Sequence, residues 1–291
     1  MDTIIGLGNA GCNIAEHFSQ YPQYKVFRID TREREGSRFY KMPDLSSPEE
    51  YEKKCPSLKS FFRGAKGDCL FIMAGSGHIS GCSLAILKQL HEKKCDLNIL
   101  YIKTDTSLLA QNKQLQERAT FQILQQYARS AIFKKMYVVD NTRLEQILGP
   151  VPINEYYDRL NQLVSSTFHM VNVFNNSQSV MSSFSEPTEV CKIATIGIVS
   201  AEDNKEKLFF DLQMQREKVY YYAINSDKLN TDAELLFNIK KQLREKVLED
   251  ERTKISYGIF STEYEEDYIY CSAHASFIQG QNSFEKNENF S

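Results

Sequence analysis

The segment IIGLGNAGCNIAEHF, residues 4–18, ends an apolar run in small residues and then resumes with helical spacing. Gly6, Gly8 and Gly11 have the spacing G-x-G-x-x-G, with Asn9, Ala10, Cys12 and Asn13 among and just after them. Between a strand and a helix, such a turn presents backbone N–H groups and the positive end of the helix dipole to an anion, most often a phosphate. Small residues at that place also serve the packing of helix on strand, so the motif has both readings. Asp30 lies 19 residues after Gly11, about where a dinucleotide fold carries its ribose-binding acid, although an Asp there also closes a strand with a turn. A nicotinamide or flavin enzyme is therefore one reading. A second glycine turn, AGSGHISGC (74–82), contains Gly75, Gly77, His78, Ser80 and Gly81 and enters the helical SLAILKQL. Two anion-binding turns at one sheet edge suit a nucleoside triphosphate better than a pyrophosphate-bridged dinucleotide. No G-x-x-x-x-G-K-[ST] occurs, which excludes an ordinary P-loop by motif.

These turns need a frame that brings strand ends together. Apolar β-rich runs at 3–8, 24–30, 68–75, 97–103 and 135–141 alternate with helix-period segments at 11–19, 81–93, 107–129 and 142–148. Short, nearly continuous apolar runs suit strands covered on both faces, so the expectation is an α/β, doubly wound parallel sheet. After Pro150 and Pro152, Ile153, Tyr157, Leu160, Val164, Phe168, Val171 and Phe174 recur at three- or four-residue spacing, the stripe of one long helix. It runs into the polar NNSQS (175–179). Beyond lie strand runs at 192–199, 218–225, 254–261 and 267–277 and helices at 203–216 and 231–248, with the last two strands expected to form an antiparallel pair. The division is 1–152 for the nucleotide-binding unit, 153–176 for a central helix, 177–278 for a smaller α+β domain with a mixed sheet, and 279–291 for a polar, loose tail.

Composition narrows the classes. With 35 Lys and Arg against 38 Asp and Glu the net charge is −3, which argues against nucleic-acid binding through bulk charge. Seven scattered cysteines without a C-x-x-C pair read as reduced thiols, not as a disulfide framework or a zinc site. No run approaches the ~18–20 apolar residues of a membrane span, and no basic leader with an apolar stretch opens the sequence, so a soluble, cytoplasmic protein is expected.

In order along residues 1–278, the sequence resembles the tubulin/FtsZ family. GLGNAGCNIAEHF is similar to the first nucleotide-binding segment of FtsZ, where the Asn matching Asn13 contacts guanine. FRIDTRE (27–33) matches the segment that reads AINTD there, FIMAGSGHISGCSLAIL (71–87) stands in the place of GGGTG[ST]G, and KMYVVDNTRLEQIL (135–148) resembles DTLIVIPNDRLLEL. The long helix matches the family's central helix, whose start carries guanine contacts and here holds Tyr156, Tyr157 and Asp158. The resemblance implies GTP or GDP as ligand with Mg²⁺ assisting, and a head-to-tail homopolymer in which a loop of the next subunit supplies acids to the water attacking the γ-phosphate. It assigns no metal ligand among the side chains.

The departures fall on that chemistry. His78 and Ile79 replace two glycines of the phosphate loop and occupy room those glycines leave for phosphate oxygens. The family's N-x-D-x-x-D becomes MSSFSEP (181–187), with Ser183 for the first acid and Glu186, or alternatively Glu189, for the second; KPFxFEG is replaced by KTDTSLLAQ. A carboxylate at Glu186 can still orient water, and loss of one acid implies slow or absent turnover. A second reading follows: a structural protein, for example of a virus, that keeps the fold and the assembly surfaces without hydrolysis. Each residue has its plain reading as well. His78 can simply pack, Asn13 can cap its helix, Glu186 before Pro187 can open a helix, Cys12 and Cys82 can fill small slots, and the tyrosines of KVYYYAIN can be either a contact surface or core.

Overall fold

The computed structural model describes residues 1–200 and 203–280. The first strand, β1 (Thr3–Leu7), runs straight into α1 (Gly8–His17), and β2 (Lys25–Asp30) returns parallel to it. Then come β3 (Phe39–Lys41), α2 (Pro48–Lys53), β4 (Asp68–Ala74), α3 (Ser83–Glu92), β5 (Asp96–Lys103), α4 (Gln111–Arg129), β6 (Lys135–Asp140) and α5 (Asn141–Leu148). Every pairing among β1 to β6 is parallel, in the spatial order β3-β2-β1-β4-β5-β6. The doubly wound sheet expected from the apolar runs is therefore present, and alternation along each strand serves its two faces. Ile4, Leu70, Ile72 and Leu100 enter the core beneath α1 and α6 (Tyr156–Asn175), while Ile5, Phe71, Ile99 and Tyr101 enter the opposite core with α3 and α4.

The long central helix exists, one turn later than its stripe suggests. Pro152 and residues 153–155 form a turn before it, so Ile153 is 90% exposed, while Leu160, Val164, Phe168, Val171 and Phe174 are buried. After α6 come β7 (Met181–Ser182), β8 (Ile193–Val199), β9 (Glu206–Leu208), β10 (Glu217–Asn225), α7 (Ser226–Thr231), α8 (Leu235–Glu249), β11 (Lys254–Thr262) and β12 (Tyr268–Ala275). The mixed sheet of this half continues the first: β8 joins β6 through Met136↔Ile193 and Tyr137↔Ala194, and the order runs on as β8-β12-β10-β11-β7.

Three expectations need correction. The runs at 254–261 and 267–277 do not pair with each other, because β10 lies between them, parallel to β11 and antiparallel to β12. That central place follows from its composition: Val219, Tyr220, Tyr221, Tyr222 and Ala223 are all buried, so the tyrosines are core and not a contact surface. The stretch 203–216 is not helical; Asn204 adopts φ +55 and β9 folds back antiparallel on β8. Gln279, assigned to the loose tail, is fully buried: its N–H donates to Gln125 Oε1 at 2.6 Å and its Oε1 accepts from Gln213 N at 2.7 Å. Residues 281–291 of that tail lie outside the described residues. Among the described residues no helix is long and apolar enough to cross a membrane.

Candidate functional site

The C-terminal ends of β1, β2 and β4 share one edge of the parallel sheet, and the first glycine turn lies there. Leu7 is the N-cap of α1 and has no side-chain oxygen, so it caps none of the first-turn N–H groups. Gly8 has φ +70, the left-handed backbone that turns strand into helix and that a side chain strains. Gly6 and Gly11 do a different job. A β-carbon on Gly6 would stand 2.5 Å from the Gly11 carbonyl oxygen, and one on Gly11 would stand 2.3 Å from that of Ile72. They let α1 lie directly on β1 and β4, so the packing reading holds for two glycines and the turn rests on the third. Ala10 packs against the core beneath α1. Cys12 is buried with its Sγ 3.4 Å from the carbonyl oxygens of Gly6 and Ile29, and burial pushes its thiol up to about 12.

The polar residues of this rim converge on an arginine that the sequence reading passed over. Arg34 Nε donates to Asp30 Oδ2 at 2.9 Å, Nη1 to Asn13 Oδ1 at 2.7 Å and Nη2 to Asn9 Oδ1 at 2.9 Å. The pair is well shielded, with side-chain exposures of 17% for Arg34 and 4% for Asp30. The backbone N–H of Thr31 holds the other carboxylate oxygen at 2.8 Å. The available signal was an arginine four residues after the acid that ends β2.

The second turn is a 3₁₀ segment, His78–Cys82, leading into α3. Ser80 is buried; its hydroxyl donates to the Gly75 carbonyl at 2.9 Å and accepts from Gln116 Nε2 at 2.9 Å, which also donates to the Gly77 carbonyl at 2.8 Å. A β-carbon on Gly75 would meet Tyr101 Oη at 2.1 Å, and one on Gly81 would meet the Pro48 carbonyl at 2.1 Å, so both are glycines of close approach. Gly77 is open apart from Ile79 Cγ2 at 4.0 Å. Ile79 spans the two turns, with the same methyl 2.9 Å from a β-carbon position on Gly8. His78 instead lines a cavity of about 610 Å³ between α2, α3 and α4, with Glu49, Leu84, Leu115 and Gln116.

Asn13 and Arg34 also face a cleft of about 480 Å³ between α1 and α6, where Tyr157, Asp158 and Asn161 form the other wall. Across it His17 Nε2 lies 3.3 Å from Asp158 Oδ1. The start of the central helix and the first glycine turn are thus brought to one place, as the family resemblance implied.

Glu186 is elsewhere. Lys135 is at the start of β6, opposite Asn98 in the register, while Asp140 ends the strand beside Lys103. Lys135 and Glu186 therefore share the sheet edge opposite the glycine turns, in a cavity of about 330 Å³ with Asn175, Phe184, Pro187 and Tyr221. No helix follows Pro187, and Glu189 is exposed outside this cavity. Burial lowers Lys135 to about 8, where its Nζ lies 3.2 Å from His274 Nδ1; His274 Nε2 is 2.9 Å from Ser272 Oγ. Among the described residues no group of three or more His, Cys, Asp or Glu is placed to hold a metal ion.

No protein-family model matches the chain, and no curated protein matches it in sequence. Solved structures do. An empty FtsZ dimer from M. jannaschii aligns over 94% of this chain and 87% of its own at 13% identity, with a TM-score of 0.67. TubZ of Bacillus thuringiensis serovar israelensis, in a GTPγS-form protofilament, aligns over 93% and 86% at 13% identity and 0.69. CetZ2 from Haloferax volcanii, a GTPγS-bound protofilament, aligns over 94% and 92% at 14% identity and 0.70. The chain has the tubulin/FtsZ fold through both of its halves.

Proposed function

We propose, from that fold, that this chain assembles head to tail into filaments in the cytoplasm and takes a guanine nucleotide, GTP or GDP, at the rim between its two glycine turns, with hydrolysis weak or absent. The observation that carries the reading is the separation of the parts. The turns at Gly8 and Gly77 and the loop bearing Glu186 sit at opposite edges of one sheet. Only a second copy stacked below or above brings them together, and such a heterologous contact leaves both ends open to growth.

In this reading the uncapped N–H groups of α1 face the phosphates, and Asn13, Tyr157 and Asp158 face the base. Glu186 of the neighbouring copy, carried on an exposed loop, orients water. Mg²⁺ bound with the nucleotide would supply charge neutralisation at the phosphates. One carboxylate where the resembling family has two supports slow or absent turnover.

A second reading has its own observation. Ile79 lies over Gly8 and Arg34 ties up Asn9, Asn13 and Asp30, which favours a structural assembly protein that polymerises without nucleotide. The two are separated by identifying any small molecule released from the purified chain and by following light scattering with and without GTP. Released guanine nucleotide with GTP-triggered scattering supports the first; an empty protein that assembles unaided supports the second. Bound NAD(P) or flavin, or absence of assembly in every condition, would overturn both.

A further inference from the structure

Three oxygens from two segments converge on one side chain: Asp30 Oδ2 at the end of β2, and Asn9 Oδ1 and Asn13 Oδ1 on α1, all accepting from the planar fork of Arg34 at 2.7–2.9 Å. The oxygens turned to the fork are acceptors arranged around a flat group, and in that orientation of the two amides they suit a ligand with adjacent coplanar donors. Guanine has that pattern. Its N1–H and exocyclic N2–H₂ project side by side as two of a guanidinium's three nitrogens do, while its third nitrogen, N3, is an acceptor. Adenine presents an acceptor at N1 instead.

We propose that Arg34 is a built-in occupant of a guanine-recognition site: its guanidinium holds the acceptors that would read the base, and a guanine nucleotide enters by displacing it. This rests on the nucleotide reading above and adds what selects the base and what opposes its entry. The cleft supports it. Arg34 lines the same space of about 480 Å³ as Asn13, Tyr157 and Asp158, so the side chain stands between the acceptors and the open volume and has room to withdraw. Without nucleotide the Asp30 carboxylate remains paired, which keeps a shielded negative group from being left alone. Apparent affinity for nucleotide is then reduced by the fraction of molecules in which Arg34 is seated.

The experiment is calorimetric titration of GDP and ADP into the full chain and into R34A, with thermal melting of both in millimolar methylguanidinium. We expect R34A to bind GDP about tenfold more tightly than the parent chain, with no gain for ADP. We also expect methylguanidinium to raise the melting temperature of R34A but not of the parent. GDP affinity unchanged or weakened in R34A overturns the displacement idea while leaving nucleotide binding intact. Equal gains for GDP and ADP overturn the mimicry, since Arg34 would then only obstruct. Failure of both proteins to bind GDP, even where methylguanidinium protects R34A, overturns this inference and the nucleotide reading together. Where R34A does not fold, R34M, which keeps the apolar stem and removes the charged fork, is read in the same way.

Discussion

Ile79 closes on Gly8: its Cγ2 methyl stands 2.9 Å from the point a β-carbon of Gly8 would take, across the gap between the two glycine turns. An apolar side chain thus sits where the resembling family keeps glycine, and the positive φ of Gly8 adds backbone strain to any substitution there. Gly8→Ala is expected to cost about 1–3 kcal/mol, part from the left-handed backbone and part from Ile79. Ile79→Ala should cost about 1–2 kcal/mol by itself and tighten GTP binding by opening the gap. Urea unfolding of both single variants and the double variant checks this. The steric part of the Gly8→Ala cost should vanish in the Ile79→Ala background, and strict additivity would show that the two residues do not touch.

Ser80 is spent on the fold. Its hydroxyl bridges the Gly75 carbonyl and the Gln116 amide inside the turn. Ser80→Ala should therefore lower stability by about 1–2 kcal/mol and leave nucleotide affinity unchanged. Gln116→Ala should lose a similar amount, and the two should couple in a double-mutant cycle. A large loss of GTP affinity with unchanged stability would instead make Ser80 a phosphate donor.

The first turn shows how far the sequence reaches. Glycine spacing fixed by a strand-to-helix turn is local, so Gly6, Gly8 and Gly11 could be read directly, whereas the place of Tyr157 and Asp158 near them came from the resemblance of the long helix to the family's central helix. Arg34 could not be read in that way, because its partners Asn9 and Asn13 are 25 and 21 residues away and meet it only through the β1–β2 register. The same holds for Gln279, whose partners Gln125 and Gln213 come from distant segments. The expected pairing of β11 with β12 failed for a related reason: adjacency in sequence suggests a hairpin, whereas the three buried tyrosines of β10 demand a strand with neighbours on both sides.

Lys135 should make the protein more stable as the solution becomes alkaline. Burial lowers its folded value to about 8 from the ordinary 10.5. Between these values the unfolded chain holds a proton that the folded chain does not, so stability rises with pH across the window and the penalty is full below pH 8. The whole span corresponds to at most about 3 kcal/mol. Urea midpoints of the parent chain and Lys135→Met at pH 7, 8, 9 and 10 give the test. The parent should gain on the variant as pH rises, and parallel curves would place the Lys135 amine in water-like surroundings.

Glu186 separates assembly from folding. It is exposed on the loop after β7, at the sheet edge opposite Gly8, and no helix or ion pair among the described residues depends on it. Glu186→Gln should leave the melting temperature and the nucleotide affinity of the isolated chain unchanged within error. Its effect should belong to the proposed stack, in which one copy's loop would meet another copy's glycine rim. Phosphate release measured against the fraction of Glu186→Gln mixed into the parent chain should fall in proportion to the junctions that carry the substituted loop. A chain whose release per junction is untouched by the substitution would assign the water to another group, and Glu189, exposed three residues along the same segment, is the next to replace.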